Sequence, residues 1–157
     1  MKKFYLVMTL WLMSAMAYGK SNIELEVFKS PTCGCCELWL NHLTAQGIAH
    51  KATDLNYLGS LKSKFGIKQN YQSCHTGVSK SGFIFEGHVP AKFIKLFLQN
   101  ETLTQDIQNI GLSVPAMPLG SPGMEVGERF MPYQVLLLKK DGSYEVFAQI
   151  DSYEEQF

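Results

Sequence analysis

The sequence lacks an excess of charge of either sign, since its 157 residues include 14 basic and 14 acidic side chains. It also lacks a basic stripe and any interleaving of basic and aromatic residues, which are the usual footprint of a nucleic-acid-binding surface. Nucleic acid is therefore not expected as a partner. Internal repeats, linkers and low-complexity segments are missing as well, which indicates one domain with a sizeable core.

The sequence also has no apolar run long enough to span a membrane. Residues 4–13 form an apolar run of roughly ten residues, whereas a spanning helix needs about 20. Lys2 and Lys3 precede this run, and small residues that suit cleavage after Ala17 or Gly19 follow it. These are the parts of a secretory signal peptide, predicted at residues 1–19. Residues 20–157 are then expected to be a soluble, mildly acidic domain in the periplasm.

Hydrophobic patterning along the exported part predicts a mixed α/β fold. The expected elements are strand 23–28, helix 35–46, strand 48–53, a helix capped by Asp54 and stopped by Gly66, a hairpin of strands 76–78 and 83–85, and a helix starting at Pro90 with the apolar stripe Phe93, Ile94, Phe97 and Leu98. Their order, β-α-β-α-β-β-α, is typical of a thioredoxin-like domain. Trp39 and the apolar stripe are expected in the core rather than in a functional site.

The remainder of the chain has a different character. Residues 111–127 are rich in proline and glycine and are expected to form an ordered, non-helical loop. Strands 133–138 and 144–150 flank an Asp-Gly turn, which is a strong hairpin signal. This C-terminal hairpin is predicted to extend the same sheet.

The four cysteines are the main candidates for chemistry: Cys33, Cys35, Cys36 and Cys74. Two structural disulfides are the ordinary arrangement of four cysteines in an exported protein. Only Cys74 lies outside the cluster, however, so at least one bridge would have to close within it. A bridge between adjacent Cys35 and Cys36 would be badly strained. The spacing therefore favours a functional role for the cluster.

Two functional interpretations remain open. Cys33 and Cys36 have the C-x-x-C spacing of a redox pair at a helix N-terminus, where a thiolate is stabilised. Thiol–disulfide exchange has no use for Cys35, which would compete as a resolving thiol. A metal site uses all three thiols, and soft sulfur ligands prefer Cu(I), with zinc next. A zinc ribbon would need a second C-x-x-C pair, which the sequence lacks.

Other soft donors accompany the cysteines. Beyond the predicted signal, the only methionines are Met117, Met124 and Met131. Met131 is expected in the core, whereas Met117 and Met124 lie between prolines and glycines, where packing and thioether ligation are equally plausible.

The histidines divide into two pairs. His42 and His50 are expected at the surface or at a helix end. His75 follows Cys74 directly, and His88 lies just before the helix at Pro90, where the helix dipole disfavours imidazolium. His75 and His88 are therefore candidate ligands.

Several motifs resemble a known family. They are KSPTCGCC at residues 29–36 followed by Trp39 and His42-Leu43, Cys74-His75-Thr76, EGHVPA at 86–91, and GLSVPAMPLGSPGME at 111–125. Together they resemble the CopG family of periplasmic copper-resistance proteins and span nearly the whole exported chain. One departure is Ala116, which stands where the family has glycine before its Met-Pro pair.

The resemblance implies a thioredoxin-like fold and copper held by the C-x-C-C cysteines as Cu(I), in a multinuclear thiolate-bridged cluster with copper redox activity. The implied ligands are Cys33, Cys35, Cys36 and Cys74, with His88 and Met117 ahead of His75 and Met124. The favoured function is copper binding in the periplasm, by a monomer, for copper resistance or homeostasis. An extension of this function is interconversion of Cu(I) and Cu(II), which would make the protein a copper oxidoreductase. The alternatives are a thiol–disulfide oxidoreductase using Cys33 and Cys36, and a metallochaperone that passes copper to a periplasmic partner.

The signal-peptide assignment makes a direct prediction. Cleavage should fall after Ala17 or Gly19, because these residues complete the small-x-small sites that follow the apolar run. The intact mass of protein recovered from the periplasm should match one of these two termini. A full-length product retained in the membrane would contradict the export assignment.

Overall fold

Seven strands form a single mixed sheet in the computed structural model, which describes residues 23–157. The predicted signal peptide lies outside the described residues. The elements are β1 Glu24–Lys29, α1 Gly34–Ala45, β2 Ala49–Asp54, α2 Gly59–Lys64, β3 His75–Ser79, β4 Ile84–Gly87, α3 Ala91–Gln99, α4 Glu101–Gln105, β5 Asn109–Val114, β6 Tyr133–Lys139 and β7 Tyr144–Ile150. None of the described helices has the length and apolar character needed to cross a membrane.

The strands lie in the order β2-β1-β3-β4-β5-β6-β7. β1 pairs with β2 in parallel and β4 with β5 in parallel, and the other neighbours are antiparallel. The fold is therefore mixed α/β, as expected from the hydrophobic patterning. The first seven elements follow the order β-α-β-α-β-β-α, and the β6–β7 hairpin joins the same sheet through β5.

Apolar side chains cover both faces of the central strands. The larger cluster packs α1 and α3 against one face through residues such as Trp39 and Phe97. Successive strand residues point to opposite faces. Accordingly, Leu137 belongs to the larger cluster, while Leu136 and Leu138 belong to a smaller one on the other face. The expected core role is confirmed for Trp39, Phe93, Ile94 and Phe97, which are buried, whereas Leu98 is partly buried against the cluster.

Two details of the predicted elements are wrong. Residues 111–114 belong to β5 rather than to a loop, because they pair with β4 on one side and β6 on the other, and Leu112 and Val114 are fully buried. A strand that is buried on both faces lacks the alternation of apolar and polar residues by which strands are recognised in a sequence. Asp54 does not cap α2, since it ends β2 and its Oδ1 accepts a hydrogen bond from Lys29 Nζ at 2.7 Å. α2 begins later, with Leu58 at its N-cap position.

His42 has a structural role that the sequence pattern does not reveal. Its side chain is half-buried, and Nε2 accepts a hydrogen bond from the backbone N–H of Ala91, the first residue of α3, at 3.0 Å. The ring therefore satisfies a helix N–H that has no partner within the helix. Burial, aided by the charge of Lys95, lowers the pKa of His42 to about 4 and keeps Nε2 available as an acceptor.

The buried position of Phe97 predicts a large effect of truncation. Phe97→Ala should lower the free energy of unfolding by about 3–5 kcal/mol, because it removes a ring at the centre of the larger cluster. Urea unfolding of the two proteins measures the difference. Leu96→Ala on the same helix is the control, since Leu96 is half exposed. Unchanged stability of Phe97→Ala would contradict the core assignment.

The capping role of His42 predicts a pH effect on stability. The unfolded chain binds a proton at His42 near pH 6.5, whereas the folded protein resists protonation down to about pH 4. Stability should therefore fall as the pH drops through this window. His42→Gln keeps an acceptor that does not titrate, so its unfolding free energy should fall less steeply over the same window. Parallel pH profiles for the two proteins would contradict the assignment.

Candidate metal centre

Strand pairing brings two distant cysteine segments together at one end of the sheet. β1 ends at Lys29, which pairs with His75, the first residue of β3. The turn that follows β1 leads to Cys33 at the N-cap position of α1, and Cys74 lies immediately before β3. Because the two strands are antiparallel, the chain leaves β1 where it enters β3. The cysteine turn and Cys74 are therefore neighbours.

The four sulfur atoms predicted as ligands converge. Those of Cys33, Cys35, Cys36 and Cys74 all lie within 4.8 Å of one another. Cys35 Sγ is 3.5 Å from Cys33 Sγ and 3.9 Å from Cys74 Sγ. Cys36 is buried, and the other three are partly exposed. The site can therefore be reached from solvent on the side of Cys33, Cys35 and Cys74.

The cysteines are present in two states. Cys33 and Cys36 form a disulfide with a Cα–Cα distance of 5.3 Å, whereas Cys35 and Cys74 are free thiols. Burial raises the pKa of Cys74 to about 12, and the neighbouring Cys35 adds to the effect. Cys74 is therefore protonated at neutral pH, and a bound cation would have to displace its proton.

The structure places His88 beside the thiols with a defined tautomer. Its Nδ1–H donates to the backbone carbonyl of Pro122 at 2.8 Å, which leaves the lone pair of Nε2 directed to Cys74 Sγ, 3.2 Å away. Burial lowers the pKa of His88, although the Pro122 carbonyl opposes the shift. The ring is therefore neutral, the form that binds metal.

His75 is also brought to the site, although the family resemblance ranks it below His88. Its ring packs against Trp39 in a tilted arrangement with centroids 4.2 Å apart, and Nδ1 lies 3.3 Å from Cys74 Sγ. Within the described part of the chain, Nε2 has no hydrogen-bond partner although the side chain is fully buried. Cys74, His75 and His88 form a second donor group within 4.8 Å.

The proline-glycine loop after β5 closes over the site at two points. Ala116 adopts a positive φ of 59°, a conformation that glycine adopts more readily, and its carbonyl accepts a hydrogen bond from Ser73 Oγ next to Cys74. Gly123 has a φ of 89°, and a Cβ there would lie 2.7 Å from the Cys35 carbonyl oxygen and 2.8 Å from Trp39 N. Glycine is therefore required where the loop touches α1.

The methionines of this loop are less enclosed than the thiols. Met117 follows the anchored Ala116, and its side chain is 50% exposed. Met124 is half-buried. Met131 is 57% exposed, so its predicted place in the core is wrong. Its backbone N–H donates to the Leu119 carbonyl at 2.9 Å, while its side chain is left to solvent.

A buried ion pair contacts the chain on either side of Cys74, and the sequence analysis did not predict it. Glu86 is fully buried in β4 and Lys62 of α2 is 3% exposed, and Lys62 Nζ donates to Glu86 Oε1. Burial raises the pKa of Glu86, while Lys62 acts in the opposite direction. The available sequence signal is a carboxylate between Phe85 and Gly87, within a short apolar strand. Lys62 carries no comparable signal, because lysine is common on helix surfaces.

The donor set matches a soft metal ion. Once the Cys33–Cys36 disulfide is reduced, it contains four thiols and two buried imidazoles, one with an unpartnered nitrogen, and neither donor group in the described residues includes a carboxylate. Thiolate and imidazole suit Cu(I) and zinc, whereas Mg²⁺ and Ca²⁺ prefer oxygen. The residues therefore fit copper by their chemistry as well as by their convergence.

Comparison with known proteins identifies relatives of this chain. A sequence family described as "Protein of unknown function, DUF411" matches residues 71–124. Two solved structures, titled "Copper resistance protein copG- Form 1" and "Copper resistance protein copG- Form 2", share 36% and 37% sequence identity with this chain. Each alignment covers 82% of this chain and 98% of the other, with a TM-score of 0.74. The search of curated proteins found no match.

Proposed function

The chain belongs to the family of the copper resistance protein CopG, and from that premise we propose that it binds Cu(I) in the periplasm and serves copper resistance. The proposed ligands are the thiolates of Cys33, Cys35, Cys36 and Cys74. The observation that carries the proposal is the convergence of all four sulfur atoms within 4.8 Å, from segments about 40 residues apart in sequence.

The arrangement suits more than one copper ion. Cys35 Sγ is near both Cys33 Sγ and Cys74 Sγ, at 3.5 and 3.9 Å. A thiolate has several lone pairs, so a central sulfur can be shared between neighbouring metal ions. We therefore propose a thiolate-bridged cluster, with Cys35 as its central ligand. Binding should release protons, because the Cys74 thiol is protonated in the metal-free protein.

His88 and Met117 are proposed to complete the site. His88 presents an unprotonated Nε2 to Cys74, and its Nδ1–H is already held by Pro122, a second contact typical of histidine ligands. Met117 follows Ala116, whose carbonyl accepts a hydrogen bond from Ser73 next to Cys74, and its side chain is 50% exposed. A thioether there would suit exchange of copper with solvent or with a periplasmic copper-transfer partner. His75 is a further candidate, because its Nε2 has no hydrogen-bond partner among the described residues.

The broader setting belongs to the same proposal. We propose that residues 20–157 are a periplasmic, monomeric domain released by cleavage of residues 1–19. The order of the first seven elements, together with the β2-β1-β3-β4 arrangement of their strands, supports a thioredoxin-like unit that the β5–β7 strands extend. Interconversion of Cu(I) and Cu(II) is proposed as an additional capability of the cluster.

Thiol–disulfide exchange is the second candidate function, and the Cys33–Cys36 disulfide favours it. Cys33 is partly exposed whereas Cys36 is buried, which suits Cys33 as the attacking thiolate and Cys36 as the resolving thiol. In that reaction the disulfide is reduced to two thiols while a partner dithiol is oxidised to a disulfide, or the reverse. This function leaves the positions of Cys35 and Cys74 unexplained.

Metal analysis gives the first test. Protein purified without oxygen from the periplasm of copper-supplemented cells should contain copper, and the amount should exceed one ion per chain if the sulfurs bridge. Quantification by elemental analysis against protein concentration gives the ratio. Absence of copper from protein whose four thiols titrate as reduced would contradict the proposal.

Substitution of Cys35 separates the two candidate functions. Cys35→Ser should lower the affinity or stoichiometry of Cu(I) binding, because a hydroxyl is a hard and protonated group that binds Cu(I) poorly. Under the redox alternative, Cys35→Ser should still reduce a disulfide substrate, whereas Cys33→Ser should not. Anaerobic Cu(I) titration and a disulfide-reduction assay on both variants measure the two activities.

Thr32→Ser is the matched control for these variants, since it makes a conservative change at an exposed residue of the same turn. It should leave both assays unchanged. Normal copper binding by Cys35→Ser, together with strong disulfide reductase activity in the parent protein, would replace the copper proposal with the oxidoreductase one.

A further inference from the structure

We propose that the buried Lys62–Glu86 ion pair is a positioning device for Cys74, which holds its sulfur in place among those of the α1 cysteines. The inference deepens the proposed function, since it rests on Cys74 being a copper ligand. Lys62 and Glu86 do not touch the donor group as ligands. They act through the backbone on either side of Cys74.

The carboxylate of Glu86 fastens the chain both before and after Cys74. Its Oε1 accepts a hydrogen bond from the backbone N–H of Ser73 at 2.6 Å, and its Oε2 accepts one from Thr76 Oγ1 at 2.6 Å. The Glu86 carboxylate therefore binds Ser73, which precedes Cys74, and Thr76, the second residue after it. The position of Cys74 between two such anchors is determined by the location of a single carboxylate.

Lys62 holds that carboxylate in turn. Its Nζ donates to Glu86 Oε1 and to Thr76 Oγ1, the latter at 3.1 Å. Lys62 comes from α2 and Glu86 from β4, so the pair joins two elements that are separate in sequence. Without Lys62 the carboxylate would be an unpaired buried charge, a state that proteins avoid.

The surrounding backbone is shaped to permit this arrangement. Gly87, which follows Glu86, has a φ of 73°, and a Cβ there would lie 2.6 Å from Ser73 Cβ. Glycine therefore lets the Ser73 segment approach β4 closely enough for the hydrogen bond to Glu86. Ser73 is fastened from its other side as well, because its Oγ donates to the carbonyl of Ala116.

The energetics favour a positioning role over a stabilising one. Burying two charges requires removal of their hydration, and an apolar pair of similar size would often be at least as stable. A directed network instead restricts the backbone to one arrangement. Residues that orient metal ligands from behind commonly affect metal affinity by roughly 10–100-fold.

A double-mutant cycle tests the proposal. Lys62→Met combined with Glu86→Met removes both charges and both acceptor oxygens while keeping similar side-chain lengths, so neither Ser73 N–H nor Thr76 Oγ1 retains its bond to residue 86. In the full chain, this double variant should bind Cu(I) roughly 10–100-fold more weakly than the parent. In a Cys74→Ser background, the same two substitutions should cause no further loss of affinity. Competition with a chromophoric Cu(I) chelator measures all four affinities.

A second measurement needs no copper. In the reduced, metal-free protein, the Cys74 thiol of the double variant should react faster with a neutral alkylating reagent, because its backbone is no longer fastened. Mass spectrometry of the Cys74 peptide gives the rate. Lys139→Met is the matched control, since Lys139 bonds Asn109 and Glu145 away from Cys74. It should change neither the copper affinity nor the alkylation rate.

The outcomes separate this inference from the proposed function. Equal affinity losses with and without Cys74, or an unchanged alkylation rate, overturn the positioning role even if copper binds. Faster alkylation in a protein whose parent binds no Cu(I) supports the positioning role and rejects the copper proposal. If the double variant does not fold, Thr76→Val removes only one anchor and is put through the same cycle. Unchanged Cu(I) affinity and alkylation in Thr76→Val would overturn the inference.

Discussion

The antiparallel register of β1 against β3 is the constraint on which the site depends. It pairs Lys29 with His75, so the end of one strand coincides with the start of the other. A slip of one residue would turn the side chains of a strand to the opposite face. Leu25 and Val27 of β1 are fully buried in the larger core cluster, so such a slip would expose them. The apolar core thus specifies the register, and the register brings Cys74 to the α1 cysteines.

Burial of the central strands sets the electrostatics of the site. β3 and β4 are covered on both faces, so polar groups at their site-facing ends must find partners or remain neutral. Glu86 finds Lys62, and His88 finds Pro122. Cys33 occupies the N-cap position of α1 without a capping side-chain bond, so the helix N-terminus faces the cysteine turn. The centre thus combines the partly buried Cys74 thiol with three cysteines at the start of a helix.

Local patterns predict most of the fold, and long-range contacts account for what they miss. β1, α1 and the β6–β7 hairpin have clear periodicity and turn residues, whereas β5 does not alternate because both its faces are buried. The cysteines are visible as a motif. Lys62 and Glu86 are 24 residues apart, and only the folded chain shows that they meet. The family resemblance ranks His75 below His88, and the sequence does not show that the His75 ring is buried against Trp39.

The cysteines of the centre link copper binding to oxidation. A sulfur engaged in the Cys33–Cys36 disulfide has no thiolate to offer, so the oxidised centre retains only Cys35 and Cys74 as thiols. Reduction supplies two more sulfur atoms to the same group. A ligand that binds one state of an equilibrium shifts the population toward it. Under the proposed function, copper bound by all four thiolates would therefore protect them from oxidation, and closure of the disulfide would oppose binding. Under the proposed function, disulfide chemistry and copper chemistry compete for Cys33 and Cys36, whereas Cys35 and Cys74 serve copper binding alone.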